Sequence, residues 1–298
     1  MKKNNNPDEI LFSKKYAKRS QFGETFYRLR KNKSAFAGMI IFGIIVLGFV
    51  GGLFFVSFDT MTVANMKIRL SWPTLQHIFG TDSLGRDLFS RVLYGARYSL
   101  SIGFGGSIIA ACLGITLGAI AGFYGGWWES IIMRFAEIMS SIPGILLGMV
   151  IMSSLGASLQ SLIICVGVTS IPGYIRMTRA SILSIRDQEF VEAARAIGLP
   201  NRRIIMMQIL PNGMSPLIVT FSMSLGMMIM AASGLSFLGF GIKAPLPEWG
   251  TLIAGSREFS RTSSYLLTFP GLMIMCTVLA FNMIGDGLRD ALDPKLKR

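Results

Sequence analysis

The sequence is poor in histidine, cysteine and charge. His77 is the only histidine among 298 residues, and the three cysteines, Cys112, Cys165 and Cys276, lie in apolar runs without metal-site or redox spacing. One histidine excludes most Ser-His-Asp, Cys-His and His-x-x-x-His arrangements, and the cysteines indicate no disulfide framework. A G-x-x-x-x-G-K-[ST] phosphate loop is also absent, so we expect no ATP bound through that motif. The chain is predicted to hold no metal, no cofactor and no catalytic residue.

The chain is instead rich in long apolar runs. Of its residues 51% are hydrophobic and only 15% are charged, with a mean hydropathy of +0.54, whereas soluble domains are about 25% charged. A helix needs about 20 apolar residues to cross a hydrocarbon core, and unalternating runs of this length exclude a barrel. We therefore predict an all-α protein of the cell membrane with six transmembrane helices. The predicted spans are 36–58, 99–123, 131–154, 159–174, 216–237 and 266–284.

The distribution of lysine and arginine predicts the orientation. Most of the 29 basic residues lie in 1–35, at Arg134, in 176–203 and after 288, and such residues are retained on the cytoplasmic side. Both termini are predicted to be cytoplasmic, and the net charge of +13 indicates a lipid bilayer rather than a nucleic acid as the partner. The predicted divisions are a basic N-terminal segment (1–35), a first transmembrane helix (36–58), an extracytoplasmic segment (59–95), a five-helix core (96–288) with a cytoplasmic loop (176–212), and a C-terminal tail (289–298).

Small residues recur every four positions along the second predicted span. They are Gly106, Ala110, Gly114, Gly118 and Gly122. Small side chains at this spacing allow two helix backbones to approach closely in lipid. We expect this face to be packed, with packing inside one bundle and packing against another subunit as open alternatives.

Ionisable residues are scarce inside the predicted spans. Arg134, Glu137 and Asp286 lie near span ends, whereas an ion-driven carrier usually places such groups near the bilayer centre. A self-sufficient channel or carrier is therefore the less favoured alternative. Ile-Pro-Gly interrupts the third and fourth spans at 142–144 and 171–173, a pattern found in pathway-lining helices and in simple kinks.

A stretch of mixed charge separates the fourth and fifth predicted spans. Its sequence, DQEFVEAARAIGLPNRRIIMMQILPN, has a helix N-cap signal at Asp187 and a C-terminal glycine at Gly198, followed by a proline. We predict a short amphipathic helix with Phe190 and Ala194 on one face. Its glutamates and alanines suit a protein groove better than a lipid surface. The alternative is a capped connector that only turns the chain around.

This stretch resembles the EAA signature of the membrane subunits of binding-protein-dependent ABC importers. Gln208 departs from the general pattern, which has an apolar residue there, and is similar to the polar residue that many peptide permeases carry. The matching residues are Glu192, Ala193, Ala194, Gly198, Leu210 and Pro211. Further segments similar to C-type subunits of dipeptide, oligopeptide and nickel importers are FYRLRKNKSAFAG (26–38), GTDSLGRDLFSRVLYGARYSL (80–100), SFLGFGIKAPLPEWGTLI (236–253) and GDGLRDALDPKLKR (285–298).

The resemblance implies a type I ABC importer permease fold with a cytoplasmic coupling helix. In the family, this helix docks into an ATPase subunit, and the resemblance extends the same function to the helix predicted here. The residues assigned to ATPase coupling are Phe190, Glu192, Ala193, Ala194, Gly198, Leu210 and Pro211. The implied partners are a homologous B-type permease, two ATPases that hold ATP and Mg, and an extracytoplasmic solute-binding protein.

Two polar segments outside the predicted spans, 80–91 and 243–249, are assigned to docking of the solute-binding protein. The assignment rests on their polar, Pro- and Gly-rich character together with the resemblance. The residues are Asp82, Arg86, Asp87, Lys243, Pro245 and Trp249. The alternative is that Asp82, Arg86 and Asp87 only cap and brace a short extracytoplasmic helix.

The cargo implied by the resemblance is a di- or oligopeptide. Nickel, a metallophore or glutathione is the alternative within the same family. His-rich or Cys-rich metal sites are absent from the sequence, but cargo would be selected mainly by the binding protein, so this absence decides little.

Overall fold

A computed structural model describes residues 21–56 and 58–292, which leaves most of the predicted N-terminal segment (1–35) and C-terminal tail (289–298) outside the described residues. The described residues are mainly helical, which confirms the predicted fold class, and a β-bridge joins Thr81 to Asp87. Single π-helical turns lie at Ile205–Ile209 and Ser236–Phe240. The α-helices are α1 (Gln21–Lys31), α2 (Lys33–Phe55), α3 (Phe58–Thr62), α4 (Leu88–Tyr124), α5 (Gly126–Ser141), α6 (Gly144–Leu155), α7 (Leu159–Leu183), α8 (Glu189–Ala196), α9 (Asn201–Ile204), α10 (Leu210–Asn212), α11 (Met214–Leu235), α12 (Trp249–Gly255) and α13 (Tyr265–Leu292).

Five of the described helices are each long and apolar enough to cross a membrane: α2, α4, α7, α11 and α13. The predicted third span is not one continuous helix, because α5 and α6 meet at a bend of 91°. The bend lies at Ile142 and Pro143, whose backbones are extended, and a proline disfavours the helical conformation in the residue before it. The described residues therefore contain five candidate spans, or six if the bent pair counts as one.

Two helices extend beyond the predicted spans. α7 continues to Leu183 and passes through Pro172, so the second Ile-Pro-Gly lies inside a helix and does not break it. α4 begins at Leu88, well before the predicted start at residue 99, because Asp87 caps it by accepting a hydrogen bond from the Ser90 amide. The long connection predicted before the second span is correspondingly shorter.

The small-residue face of α4 packs against α7 within the same chain. A Cβ added at Gly118 would lie 2.6 Å from the Ile175 carbonyl oxygen, and one at Gly114 would collide with the Tyr174 Cβ. Gly106, Ala110 and Gly122 are also buried on α4. Of the two alternatives left open for this face, the structure shows packing inside one bundle, since larger side chains would push α4 and α7 apart.

The two ends of α4 carry the regions that matter for function. α4 has 37 residues and is therefore about 55 Å long at 1.5 Å per residue. At its start, residues 59–87 and 241–264 pack together around Leu88 and Trp249, and we call these two segments the polar cap. At its end, residues 184–213 pack around Phe123, and we call this segment the coupling loop.

Candidate functional site

The coupling loop contains the short helix expected from the sequence, α8. The helix begins after Gln188 rather than after Asp187, and the Gln188 side chain makes no capping hydrogen bond. It donates instead to the Ser184 carbonyl oxygen at 3.2 Å, while Asp187 accepts from the Arg186 guanidinium at 3.2 Å. The predicted cap at Asp187 is therefore wrong, since this carboxylate pairs with the preceding arginine.

The two faces of α8 have different surroundings. Val191 is fully buried and Ala194 is 5% exposed, and both belong to the apolar cluster that also contains Phe123 at the end of α4. Ala194 lies one helical turn from Phe190 and beside Val191, but Ala194 is buried whereas Phe190 is 36% exposed, so Phe190 lies at the edge of the buried face. The exposed residues of α8 and its C-terminal turn include Phe190, Glu192, Ala193 and Ile197.

Gly198 ends α8 in the left-handed conformation that the sequence pattern predicts. Its φ is +81°, and its amide donates to the Arg195 carbonyl oxygen at 2.9 Å, while the Leu199 amide donates to that of Ala194 at 3.1 Å. An added Cβ would meet no atom within 4 Å. Glycine is therefore favoured here by the backbone conformation alone.

Hydrogen bonds join both ends of the coupling loop to the bundle. The Arg186 guanidinium donates to the Gly122 carbonyl oxygen at 3.0 Å, at the end of α4. The Ser181 hydroxyl, on α7, donates to the Gly213 carbonyl oxygen at 2.9 Å. The predicted Leu210-Pro211 exit lies in α10, with Leu210 half-buried and Pro211 exposed. A displacement of the coupling loop would thus act on α4 and α7 directly.

Asp82 organises the first segment of the polar cap. Its Oδ1 accepts hydrogen bonds from the amides of Leu84 and Arg86 at 2.9 Å. Its Oδ2 accepts from Arg86 Nε at 2.7 Å and also from Arg91 Nη1. Since Asp82 and Arg91 are each only 6% exposed, Asp82 braces the turn before α4 and presents little carboxylate to solvent. This geometry matches the bracing alternative for these residues.

Asp87 fixes the same segment to the start of α4. Its Oδ2 accepts from the Ser90 amide at 2.7 Å, and its Oδ1 lies 2.9 Å from Nδ1 of His77. A lone histidine carries no motif, so this contact of His77 could not be predicted from the sequence. Its contact with Asp87 attaches the loop before Gly80 to the helix start.

The second segment of the polar cap is built around Glu248, which the sequence analysis missed. The side chain is fully buried. Its carboxylate accepts from the amides of Gly250 and Thr251, and from the hydroxyls of Thr251 and Ser236, at 2.7–2.9 Å. The usual N-cap residues are Ser, Thr, Asp and Asn, so the cap that Glu248 forms at the start of α12 had no such signal in the sequence.

The residues assigned to docking in this segment differ in accessibility. Trp249 is fully buried, and its Nε1 donates to the Val92 carbonyl oxygen at 2.9 Å. Trp249 therefore anchors α12 to α4, and its assignment to a docking surface does not hold. Lys243 and Pro245 are exposed, as a docking residue must be.

Neither region contains a reactive group of side chains. In the part of the chain that the structure describes, no three His, Cys, Asp or Glu side chains are close enough to hold a metal ion. The contacts of the polar cap and the coupling loop can hold helices together and transmit a movement between them. The exposed helix α8 can contact a partner.

The long apolar helices and the bent pair give the fold of a multi-pass membrane protein that carries an exposed short helix. The fold is that of a type I ABC importer permease. It matches a chain from the inward-facing conformations of the MetNI methionine ABC transporter with a TM-score of 0.56 and 17% identity, covering 68% of this chain and 97% of that chain.

Sequence comparisons identify the family. The model for binding-protein-dependent transport system inner membrane components matches residues 114–298, and that for the N-terminal transmembrane domain of oligopeptide transport permease C matches residues 20–73. The chain is 44% identical over 282 residues to the dipeptide transport system permease protein DppC of Alkalihalophilus pseudofirmus, covering 95% of this chain and 92% of that protein. It is 39% identical over 279 residues to the glutathione transport system permease protein GsiD of Escherichia coli O157:H7, covering 94% and 92%. The chain belongs to the family of binding-protein-dependent transport system inner membrane components and is a multi-pass membrane protein.

Proposed function

We propose that this chain is the C-type permease subunit of an ABC importer for di- and oligopeptides. The support for this cargo is the 44% identity to a dipeptide transport permease over 95% of the chain. The match of residues 20–73 to oligopeptide transport permease C favours the C-type position. Glutathione, itself a short peptide, is the second candidate cargo, because permeases named for glutathione transport are 39% identical over 94% of the chain.

The exposed side of α8 is the observation that carries the coupling function. Phe190 is 36% and Ile197 is 77% exposed, beside exposed Glu192. Apolar and acidic side chains on a helix whose inner face is already buried suit a groove on another protein. We infer that this groove belongs to an ATPase subunit, which would supply the ATP and Mg that this chain lacks a motif to bind.

The complete importer would contain a homologous B-type permease beside this chain, two ATPases and a solute-binding protein. The coupling loop, which carries several arginines, would face the cytoplasm together with both termini. The polar cap would then face the solute-binding protein outside. The cargo would pass between the two permeases.

The contacts of the coupling loop suggest how ATPase closure reaches the pathway. Val191 and Ala194 share an apolar cluster with Phe123 at the end of α4, and the Arg195 guanidinium lies over the Phe123 ring at 5.5 Å. A push on α8 would therefore move α4 and α7 together, since these helices are packed along the glycine face. Rigid-body movement of packed helices is a common route for such switching.

The test is reconstitution of the purified complex. We expect proteoliposomes that contain this chain, its co-purifying partners and the solute-binding protein to take up a labelled dipeptide only when ATP and Mg are present. Unlabelled dipeptides should compete better than glutathione. The chain alone should give no uptake, and uptake by the chain alone without ATP would show a self-sufficient channel or carrier instead.

A further inference from the structure

A small cavity lies in the polar cap between the turn before α4 and α12. Its volume is about 130 Å³. The polar residues that line it are Asp82, Ser83, Arg86, Arg91, Thr251 and Ser256. The cavity is thus formed where the two segments of the polar cap meet, in the part of the chain proposed to face the solute-binding protein.

The cavity has an excess of positive charge. Asp82 is the acidic residue among those that line it, and its Oδ2 is shared by the guanidinium groups of Arg86 and Arg91. The neighbouring carboxylate of Glu248 is occupied by four donors of Ser236, Gly250 and Thr251, and that of Asp87 is engaged by Ser90 and His77. One carboxylate therefore balances two guanidinium groups.

Arg91 also retains an unused donor. Its Nε is buried and has no hydrogen-bond partner among residues 21–56 and 58–292, although the side chain is only 7% exposed. A buried charged donor without a partner is costly. A second carboxylate in the cavity would supply the negative charge that the two guanidinium groups lack.

The size of the cavity limits what can enter it. Sites for whole small molecules usually have volumes of about 300–1,000 Å³, whereas this cavity has about 130 Å³. It can hold one carboxylate group with a few waters, but not an entire peptide cargo. The ligand is therefore an acidic group carried by something larger, which remains outside.

The exposed charges of the polar cap indicate the carrier of that acidic group. In the described part of the polar cap, exposed basic residues outnumber exposed acidic residues, of which Glu258 is one. The exposed basic residues are Lys67, Arg69, Lys243, Arg257 and Arg261. A surface of this sign is complementary to a partner with an acidic surface.

We propose that the cavity beside Arg91 accepts the carboxylate of an aspartate or glutamate on the solute-binding protein when that protein docks. The proposal rests on the proposed function and gives the docking surface an anchor. Arg86 and Arg91 bind the incoming carboxylate, and Asp82 holds the two guanidinium groups in position. The exposed basic residues around the cavity attract the acidic surface of the partner.

The test uses Ser83, which lines the cavity and makes none of the hydrogen bonds that brace Asp82. Ser83→Asp places a carboxylate of this chain in the cavity, and Ser83→Asn is the matched control of nearly equal size without charge. With the purified importer complex in nanodiscs, we expect the solute-binding protein that supports uptake to bind about tenfold more weakly to the Asp variant. The Asn variant, which takes up the same space without the charge, should lose much less affinity than the Asp variant.

A second measurement needs no substitution. At an equal ionic strength of about 0.1 M, sodium acetate should weaken binding of the solute-binding protein more than sodium chloride does, because acetate can enter the cavity. Equal affinities for the two Ser83 variants together with equal effects of the two salts would overturn the proposal. The proposal is also overturned if Ser83→Asp leaves docking unchanged but raises the KM for uptake of dipeptides with a free carboxylate and not of amidated dipeptides. The cavity would then bind a carboxylate of the cargo. Absence of ATP-driven uptake by the original complex would instead refute the proposed function.

Discussion

The polar cap and the coupling loop use their acidic residues in opposite ways. In the polar cap, the carboxylates of Asp82 and Glu248 are buried and each accepts four hydrogen bonds from this chain. In the coupling loop, Glu189 and Glu192 are exposed, and α8 has no side-chain cap. Hydrogen bonds to buried carboxylates thus organise the polar cap. By contrast, α8 is attached to the rest of the chain through one apolar face, and its acidic residues stay accessible.

This difference suits an end that keeps its shape and, under the proposed function, an end that meets a moving ATPase. The buried hydrogen bonds of the polar cap resist rearrangement, because each one that breaks leaves a buried polar group without a partner. An apolar contact such as that of Val191 with the end of α4 is less directional and transmits a push without losing a specific bond. We expect substitutions in the polar cap to affect stability and those on the outer side of α8 to affect transport.

The largest loss of stability is expected from Glu248→Ala in the polar cap. The substitution removes the acceptor of two backbone amides at the start of α12 and of two hydroxyls, and each unsatisfied buried group costs about 1–3 kcal/mol. We expect the free energy of unfolding, measured in detergent with denaturant, to fall by about 3 kcal/mol. Glu258→Ala, at an exposed carboxylate of the same region, is the control and should change it by less than about 0.5 kcal/mol. Similar losses of unfolding free energy in both variants would show that the hydrogen bonds of Glu248 do not hold the polar cap together.

Gly198→Val is expected to have an intermediate effect on stability and a large one on coupling. A β-branched residue at a φ of +81° is strained by about 1–2 kcal/mol, although no atom blocks its Cβ. We expect the assembled complex to hydrolyse ATP with little uptake, because α8 can no longer turn back at Gly198. Hydrolysis and dipeptide uptake are measured in the same proteoliposomes.

Gly156 offers a matched control for this strain. It follows α6 with a φ of +80°, and an added Cβ there would also meet no atom within 4 Å. Gly156→Val should cost at least as much stability, because its ψ of 164° lies in a region that is essentially restricted to glycine, yet leave the ratio of uptake to hydrolysis unchanged. If both variants lose coupling equally, the conformation of Gly198 has no special importance for the coupling loop.

The features predicted correctly from the sequence are local ones. α8 and its left-handed glycine could be predicted because helix propensity, amphipathic spacing and the Gly-Leu-Pro signal all lie within a few residues of each other. The position of the bend before α6 also coincides with a visible signal, the Ile-Pro-Gly at 142–144. In each case the physical cause is contained in the adjacent chain.

The features that could not be predicted depend on distant partners. The sequence suggested that Trp249 is an exposed loop residue. Its indole instead donates a hydrogen bond to the carbonyl oxygen of Val92, which is 157 positions away in the sequence. Ala194 is buried in an apolar cluster that includes Phe123 of α4, a residue distant from it in the sequence. The angle of the bend between α5 and α6 likewise depends on packing, whereas proline alone predicts only that the helix breaks.

The smallest effect on stability, with a selective effect on transport, is expected from Glu192→Ala on the outer side of α8. The side chain is exposed, so the free energy of unfolding should change by less than about 0.5 kcal/mol. If an ATPase groove binds this side, the variant should lower dipeptide uptake and the affinity of the permease complex for the ATPase subunits, whereas Glu258→Ala, at the opposite end of the bundle, should alter neither. The comparison is made by titrating purified ATPase into permease complexes in nanodiscs. If Glu192→Ala and Phe190→Ala both leave ATPase affinity and uptake unchanged, α8 is only a connector. The polar cap and the coupling loop would then differ in how they contribute to stability, and not in function.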